Sequence, residues 1–345
     1  MTDVAITGWG GALPPTTITN RDLEGRLETS DAWIFERTGI RERRTGGTVG
    51  DLSVEAGAAA LRRAGVEPSS VDLLVLATMT PDQTMPATSA RVHGALGLGG
   101  GAFDVNAACS GFVYSLFTGY SVLLSGVVSR VLVIGSDVMT TVVDPDDRST
   151  AVLFGDGAGA LLLESCPTGT APEGANRFLG WDFGVDASAY SLLQAQLGGT
   201  ITMEGREVYR RAVRATVDSA CAALDRAGCS PGDVDLFVPH QANRRIIEAV
   251  AERIGIPLER TAVTVDRTGN TSAASIPLAL AEAAEAGHIG EGDTVLVSGF
   301  GAGMTWASAV FRWGTAPESG AVPSRAPDPA HSPLPTPTPK PEEPS

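Results

Sequence analysis

Lysine is almost missing from this chain of 345 residues: the only one is Lys340, near the C-terminal end. That excludes from the folded body a Schiff-base lysine for pyridoxal phosphate and the lysine of a phosphate-binding P-loop. No apolar run approaches the roughly 18 residues that a membrane span needs. Met1 to Gly10 carries no basic cluster ahead of an apolar stretch, so no secretory signal is expected. Cysteine is scarce as well. Cys109, Cys166, Cys221 and Cys229 form no CxxC pair and suggest neither a disulfide framework nor a metal site, so a reducing cytoplasm is the expected setting. Positive charge is outnumbered, with 25 Lys and Arg against 40 Asp and Glu. The net charge of −15 excludes nucleic acid as a partner, because phosphate binding needs a basic field. What is there, 43% hydrophobic and 19% charged residues, is enough for a large core in one or two domains.

The chain repeats itself. Ala58 to Leu76 aligns with Cys221 to Pro239 at an offset of 163, with 11 of 19 positions identical. Val131-Leu132-Val133-Ile134-Gly135 recurs as Val295-Leu296-Val297-Ser298-Gly299 at an offset of 164. Each half reads helix, loop, strand, motif, helix and strand, an alternation that predicts α/β architecture. The halves are expected at 1–165 and 166–314. From about Ala316 the composition changes: ten of the 22 prolines lie in the last 30 residues. Residues 315–345 are therefore expected to be a disordered proline-rich tail, because proline this dense lacks the backbone donors of a packed element.

Three segments carry chemistry: Ala107-Ala108-Cys109-Ser110-Gly111-Phe112, His240-Gln241-Ala242-Asn243 and Gly269-Asn270-Thr271-Ser272-Ala273-Ala274. Each follows a strand-like run and leads into a helical pattern. A thiol, an imidazole and an amide at such positions can converge near the axis of a duplicated fold. Acyl transfer through a thioester needs that set: a soft nucleophile, a base or donor, and a second donor for developing negative charge. Cys109 is expected in the first turn of the helix beginning near Phe112, where the helix dipole would lower its pKa. Cys221, whose first-half counterpart is Ala58, is expected to be a small core residue. Asn270 taken singly reads as a helix cap. Gly155-Asp156-Gly157-Ala158-Gly159, flanked by apolar runs, reads as strand–turn–strand, not as a nucleotide loop.

With Thr29-Ser30-Asp31-Ala32-Trp33-Ile34, Arg37-Thr38-Gly39-Ile40-Arg41 and Gly299 to Trp306 (GFGAGMTW), these segments make residues 1–314 resemble the β-ketoacyl-acyl carrier protein synthase III family, the initiating ketosynthases of the thiolase superfamily. The resemblance implies a thiolase-like five-layered αβαβα fold of two pseudo-symmetric halves, usually a homodimer. It implies an acyltransferase that condenses an acyl-CoA primer with a malonyl thioester, which loses carbon dioxide. No cofactor is implied, since acyl-CoA and the malonyl thioester are substrates. Cys109 would carry the acyl group, with the N–H groups of Cys109 and Ala302 holding the oxyanion. His240 and Asn270 would hold the enolate, and Phe300 would favour decarboxylation. The coenzyme would lie against Trp33, Arg37, Arg148, Asn243 and Arg245. Met85 (inserted by the partner subunit), Met139, Phe154 and Met304 would shape the acyl pocket.

The acceptor favoured is a malonyl-acyl carrier protein. Arg206, Arg210 and Arg214 fall at i, i+4 and i+8 of an expected helix with Arg211 beside them, and Arg244 follows His240 closely; Arg206 reads as a solvated position, while Arg210, Arg211, Arg214 and Arg244 give a local basic docking surface. Free malonyl-CoA as acceptor, giving acetoacetyl-CoA, and priming of a polyketide are the near alternatives. A papain-like protease is the distant one, since its histidine and asparagine also follow the cysteine by roughly 130–150 residues. A degradative thiolase would carry a second cysteine where Gly301-Ala302-Gly303 stands, and an elongating ketosynthase a second histidine at Asn270.

Overall fold

The computed structural model describes residues 2–167 and 178–314; the proline-rich segment expected at 315–345 lies outside the described residues. The first half opens with β1 (Thr2–Ala12), then an excursion of β2 (Thr16–Thr19), α1 (Asn20–Glu24), α2 (Asp31–Thr38) and β3 (Glu42–Thr45). It continues as α3 (Val49–Ala64), β4 (Leu73–Ala77), α4 (Thr88–Leu96), β5 (Gly101–Val105) and α5 (Gly111–Leu124). β6 (Arg130–Val138), α6 (Arg148–Ala151) and β7 (Asp156–Pro167) complete it. The second half runs β8 (Phe178–Val185), a small ribbon of β9 (Leu193–Gln194) and β10 (Thr202–Met203), α7 (Gly205–Ala227), β11 (Leu236–Pro239) and α8 (Arg244–Ile254). It ends with α9 (Val265–Thr268), α10 (Ser275–Glu285), β12 (Thr294–Gly301) and β13 (Thr305–Arg312).

The two halves give matching sheets, β1-β7-β6-β4-β5 and β8-β13-β12-β11. In both, one side is antiparallel (β1-β7-β6 and β8-β13-β12) and the other is parallel (β6-β4-β5 and β12-β11). The counterpart of β5 is reduced to one bridge between Phe237 and Thr261. Strand alternation builds the layers. Val131 and Val133 of β6 point into the central core, while Leu132 and Ile134 point outward onto α3. Val295 and Val297 of β12 do the same, with Leu296 packed toward α7 and α8. A strand with apolar side chains on both faces must be covered on both. Hence α5 and α10 lie between the sheets and contribute Phe112, Leu116, Ile276 and Leu280 to one core, with α3 and α4 outside the first sheet and α7 and α8 outside the second. This is the five-layered αβαβα arrangement.

Two expectations need correction. Gly155 to Gly159 is not a strand–turn–strand unit: α6 and a turn precede it, and β7 starts at Asp156, whose buried carboxylate binds Thr140 and the Gly46 N–H. Cys221 is exposed rather than core, because it lies on the outer face of α7, turned away from the sheet.

Candidate active site

The turn carrying Cys109 and its pseudo-symmetric copy meet at the centre. Cys109 lies in a single 3₁₀ turn, Ala108–Ser110, just ahead of α5; 164 residues later Ser272–Ala274 forms the same turn ahead of α10. Ala108 and Ser272 occupy equivalent places with φ of 48° and 51°, a region that side chains other than glycine seldom adopt. Such backbone conformations cluster at functional sites. Ser110 Oγ donates to Ala107 O at 2.7 Å and lies 2.8 Å from Thr305 Oγ1, tying the turn to the start of β13.

Glycine is required at Gly301, where a Cβ would come within 2.6 Å of the Cys109 amide nitrogen. Its absence leaves that N–H accessible to an incoming oxyanion. Ala302 follows in the turn, its carbonyl 3.1 Å from Thr305 Oγ1.

His240 directly follows β11, its N–H bound to Ser298 O, and its Nδ1 is 2.6 Å from Ser275 Oγ. Burial pushes its pKa down to about 3, so the imidazole is neutral. Gln241 holds the loop. Its buried amide donates to Pro239 O and Ala262 O and accepts from the N–H groups of Thr264 and Val265. Asn270 is pinned by its backbone to the 153–155 segment, and its Oδ1 accepts from Ser272 N at 2.9 Å. The capping role and the functional one therefore coexist, because the capping bond uses the oxygen and leaves Nδ2 for the site.

Cys109 corrects an expectation. Its thiol is pushed up to about 12, not lowered, because it is buried ahead of the helix start and close to the carboxylate of Asp137. A hydrogen bond from Ser272 Oγ, 3.4 Å from Sγ, acts in the opposite direction. Desolvation outweighs the helix end here.

Cys109, His240, Asn270 and Phe300 line one cavity of about 950 Å³. Phe154 lines it too, and Arg37, Arg148, Arg206, Arg210 and Arg245 surround it with positive charge. Trp33 and Arg37 reach it from one face of α2, which Ser30 caps. The Trp33 ring is already covered, by Arg37 at 4.5 Å and Arg148 at 4.8 Å from its centroid. Asn243 also lines the cavity, but its amide is committed: it caps α8 through Arg245 N and donates to Arg37 O. Met139 packs behind Phe154, and Met304 behind Phe300, so neither lines this cavity. Met85 is 81% exposed and stays outside it. Of the docking arginines only Arg210 lines it. Arg210 pairs with Glu207, Arg211 with Glu207 and Asp186, Arg214 with Asp218, and Arg244 with Glu248.

Four residues escaped the sequence reading. Ser272 and Ser275 stand inside a segment already singled out, where small hydroxyls look like helix-start residues. Asp137 and Arg43 gave no signal, since a charged residue in a strand normally faces water. Arg43 is 1% exposed and gives its guanidinium to Ile18 O, Asn20 Oδ1 and Val152 O, holding the wall that presents Phe154.

Comparison with known proteins agrees with this geometry. The family model described as 3-oxoacyl-[acyl-carrier-protein] synthase III matches residues 103–186, and its C-terminal model matches 224–313. The β-ketoacyl-[acyl-carrier-protein] synthase III of Roseiflexus castenholzii is 47% identical over 328 residues, covering 90% of this chain and 98% of that one. The chain belongs to the β-ketoacyl-[acyl-carrier-protein] synthase III family. The crystal structure of the Aquifex aeolicus synthase III superposes with a TM-score of 0.86 at 42% identity, covering 90% of this chain and all of that one. A priming β-ketosynthase from a polyketide biosynthetic pathway gives a TM-score of 0.86 at 34% identity, covering 91% and 97%. Family membership makes the chain an acyltransferase with the thiolase fold, and leaves no place for the papain-like alternative.

Proposed function

We propose that this chain performs a decarboxylative Claisen condensation between an acyl-CoA primer and malonyl-acyl carrier protein, initiating fatty-acid synthesis. The observation that carries it is the convergence of Cys109, His240, Asn270 and Phe300 on one cavity ringed by arginines. Cys109 attacks the primer thioester, and its own N–H with that of Ala302 receives the oxyanion. The malonyl thioester follows, and its carboxylate leaves as carbon dioxide beside Phe300. Asn270 Nδ2 and neutral His240 donate to the enolate, which attacks the acyl-cysteine. For His240 we assign the proton to Nε2, with Ser275 donating to Nδ1, so that the cavity side is a donor. The reaction needs a nucleophile and fixed donors, so no resident cofactor or metal is assigned a role.

The arginine ring supports coenzyme phosphates at the mouth. Because Arg37 and Arg148 both rest on Trp33, an adenine stacked on that indole competes with a guanidinium for the ring. We further place the protein in the cytoplasm as a homodimer. Among the described residues no helix is long and apolar enough to cross a membrane. The dimer is supported by β5, the edge strand of its sheet, with Phe103 38% exposed, and by the protruding Met85. Light scattering should give twice the chain mass, and Phe103→Glu should shift the protein to monomer.

Priming of a polyketide is the second reading, supported by the likeness to the priming β-ketosynthase. The deciding experiment first incubates the protein with acetyl-CoA alone and looks for one acetyl group on the Cys109 peptide. It then offers malonyl carrier protein or malonyl-CoA and identifies the product by mass. Acylation elsewhere, or preference for free malonyl-CoA, overturns the assignment.

A further inference from the structure

The thiol of Cys109 has a buried carboxylate behind it. Asp137, at the inner end of β6, is fully buried. Its Oδ1 accepts from Thr78 Oγ1 at 3.0 Å, Met79 N at 2.8 Å, Thr80 N at 3.2 Å and Thr80 Oγ1 at 2.9 Å. Its Oδ2 accepts from Ala273 N at 3.0 Å. Ser272, also fully buried, stands between the two: its Oγ is 3.4 Å from Cys109 Sγ, and the amide that joins it to Ala273 is the one bound to Asp137 Oδ2, which brings its hydroxyl close enough to help hold down the pKa of that carboxyl.

The duplication explains why a carboxylate sits there. At the offset of 164 that relates the two turns, Ala273 corresponds to Cys109 and Asp137 to Gly301. In one half the amide at the turn is left open by glycine. In the other the equivalent amide is filled permanently by the Asp137 side chain. The duplicated oxyanion position has its anion built in, directly behind the thiol of the working half.

We propose that Asp137, acting through Ser272, holds the Cys109 proton while the enzyme is acylated and returns it when condensation releases the thiolate. This rests on Cys109 being the acylated nucleophile. During acylation Sγ bonds to the acyl carbon and the S–H proton passes to Ser272 Oγ, whose own proton passes to the Asp137 carboxylate. The coenzyme leaves as a thiolate and is protonated by solvent. During condensation the enolate carbon bonds to the acyl carbon, the C–S bond breaks, and the thiolate regains its proton from Asp137 by the reverse path. One proton is consumed per turnover, as the loss of a carboxylate as carbon dioxide requires. A neutral Asp137 in the acyl-enzyme also removes a negative charge behind the site just when the malonyl carboxylate must enter.

The charges agree with this path. Burial raises the pKa of both groups, and the negative charge of Asp137 raises that of Cys109 further, so charge on one disfavours charge on the other. The other titratable groups facing this region are His240, across the cavity from the nucleophile turn, and Asp156, opposite Val138 on β7. Asp156 is engaged by Thr140 and Gly46.

The test mixes the protein with acetyl-CoA, without malonyl donor, in weak buffer with a pH indicator, and scores acyl-Cys109 by intact mass in the same sample. We expect proton uptake from solvent equal to the acyl-enzyme formed. Ser272→Ala, which removes one hydroxyl, should acylate about 10²-fold more slowly, the lower end for general acid–base assistance. Its uptake should vanish, because the thiol proton then passes directly to the coenzyme, and its acylation rate should climb more steeply with pH. A thermal melt confirms that the variant is folded. Infrared difference spectra of the unaltered protein should gain a protonated-carboxyl band on acylation, so the inference does not depend on Asp137→Asn folding. Acyl-Cys109 formation without uptake, full uptake in Ser272→Ala, or no carboxyl band overturns the relay. Absence of acyl-Cys109 overturns the proposed nucleophile and the relay with it.

Discussion

Asn270 serves two masters with the two ends of one amide. Its Oδ1 caps the turn at Ser272, while Nδ2 is assigned to the enolate. Asn270→Ala is therefore expected to retain acylation and to lose about 10²–10³ in condensation rate, the usual cost of one missing donor to a developing oxyanion. Single-turnover acylation measured beside steady-state condensation separates the two. Burial also sets a pH dependence of stability. His240 is held near 3 when folded, against the 6.5 of an ordinary histidine, so the unfolded chain binds the proton first as pH falls. Stability should drop as pH falls from about 6.5 toward 3. Cys109 is raised from 9 to about 12, so the unfolded chain loses its proton first and stability should decline from about pH 9 upward. Melting curves against pH should show a shallower acid limb in His240→Gln and a shallower alkaline limb in Cys109→Ser.

The decisive elements are short turns between strand and helix. The turn carrying Cys109 is pressed so closely against the end of β12 that Gly301 has no room for a methyl group. Gly301→Ala should leave both sheets folded yet block or displace the Cys109 amide, lowering the acylation rate by about 10²–10³. Circular dichroism should be unchanged while burst-phase acylation falls. If acylation survives intact, that N–H does not serve the oxyanion. The helices α5 and α10 are apolar on nearly all sides because each is covered by a sheet above and below, and this rigid packing fixes the turns ahead of them.

For the whole molecule, the net charge of −15 opposes an acidic partner, so docking must use local arginines. The structure tempers that idea, because each arginine of the expected docking set is paired with a carboxylate. The attraction is then modest and screened within about 8 Å at physiological salt. Arg244→Glu is expected to raise the KM for malonyl carrier protein several-fold at low salt and little at high salt, with a smaller effect on the KM for acetyl-CoA. Equal changes for both substrates would place Arg244 in coenzyme binding instead.

The sequence alone determined the architecture and singled out the three segments that meet at the cavity, because internal repetition and motif spacing are linear properties. The offset that aligned Val131–Gly135 with Val295–Gly299 proved to be the offset relating β6 to β12 and the Cys109 turn to the Ser272 turn. Cys109, His240 and Asn270 were legible because each stood in a compact segment at a strand end. Tertiary structure decided the electrostatics. Whether a thiol lies at the favourable end of a helix or in a desolvated pocket beside a carboxylate depends on what packs there from 28 residues away, at Asp137, and from 163 away, at Ser272. It also decided which charges are buried: Arg43 and Asp137 sit in segments that otherwise read as ordinary strand, and only the surrounding backbone donors and acceptors make their burial tolerable. Solvation and partner geometry are properties of the folded neighbourhood, so they are written in the packing rather than along the chain.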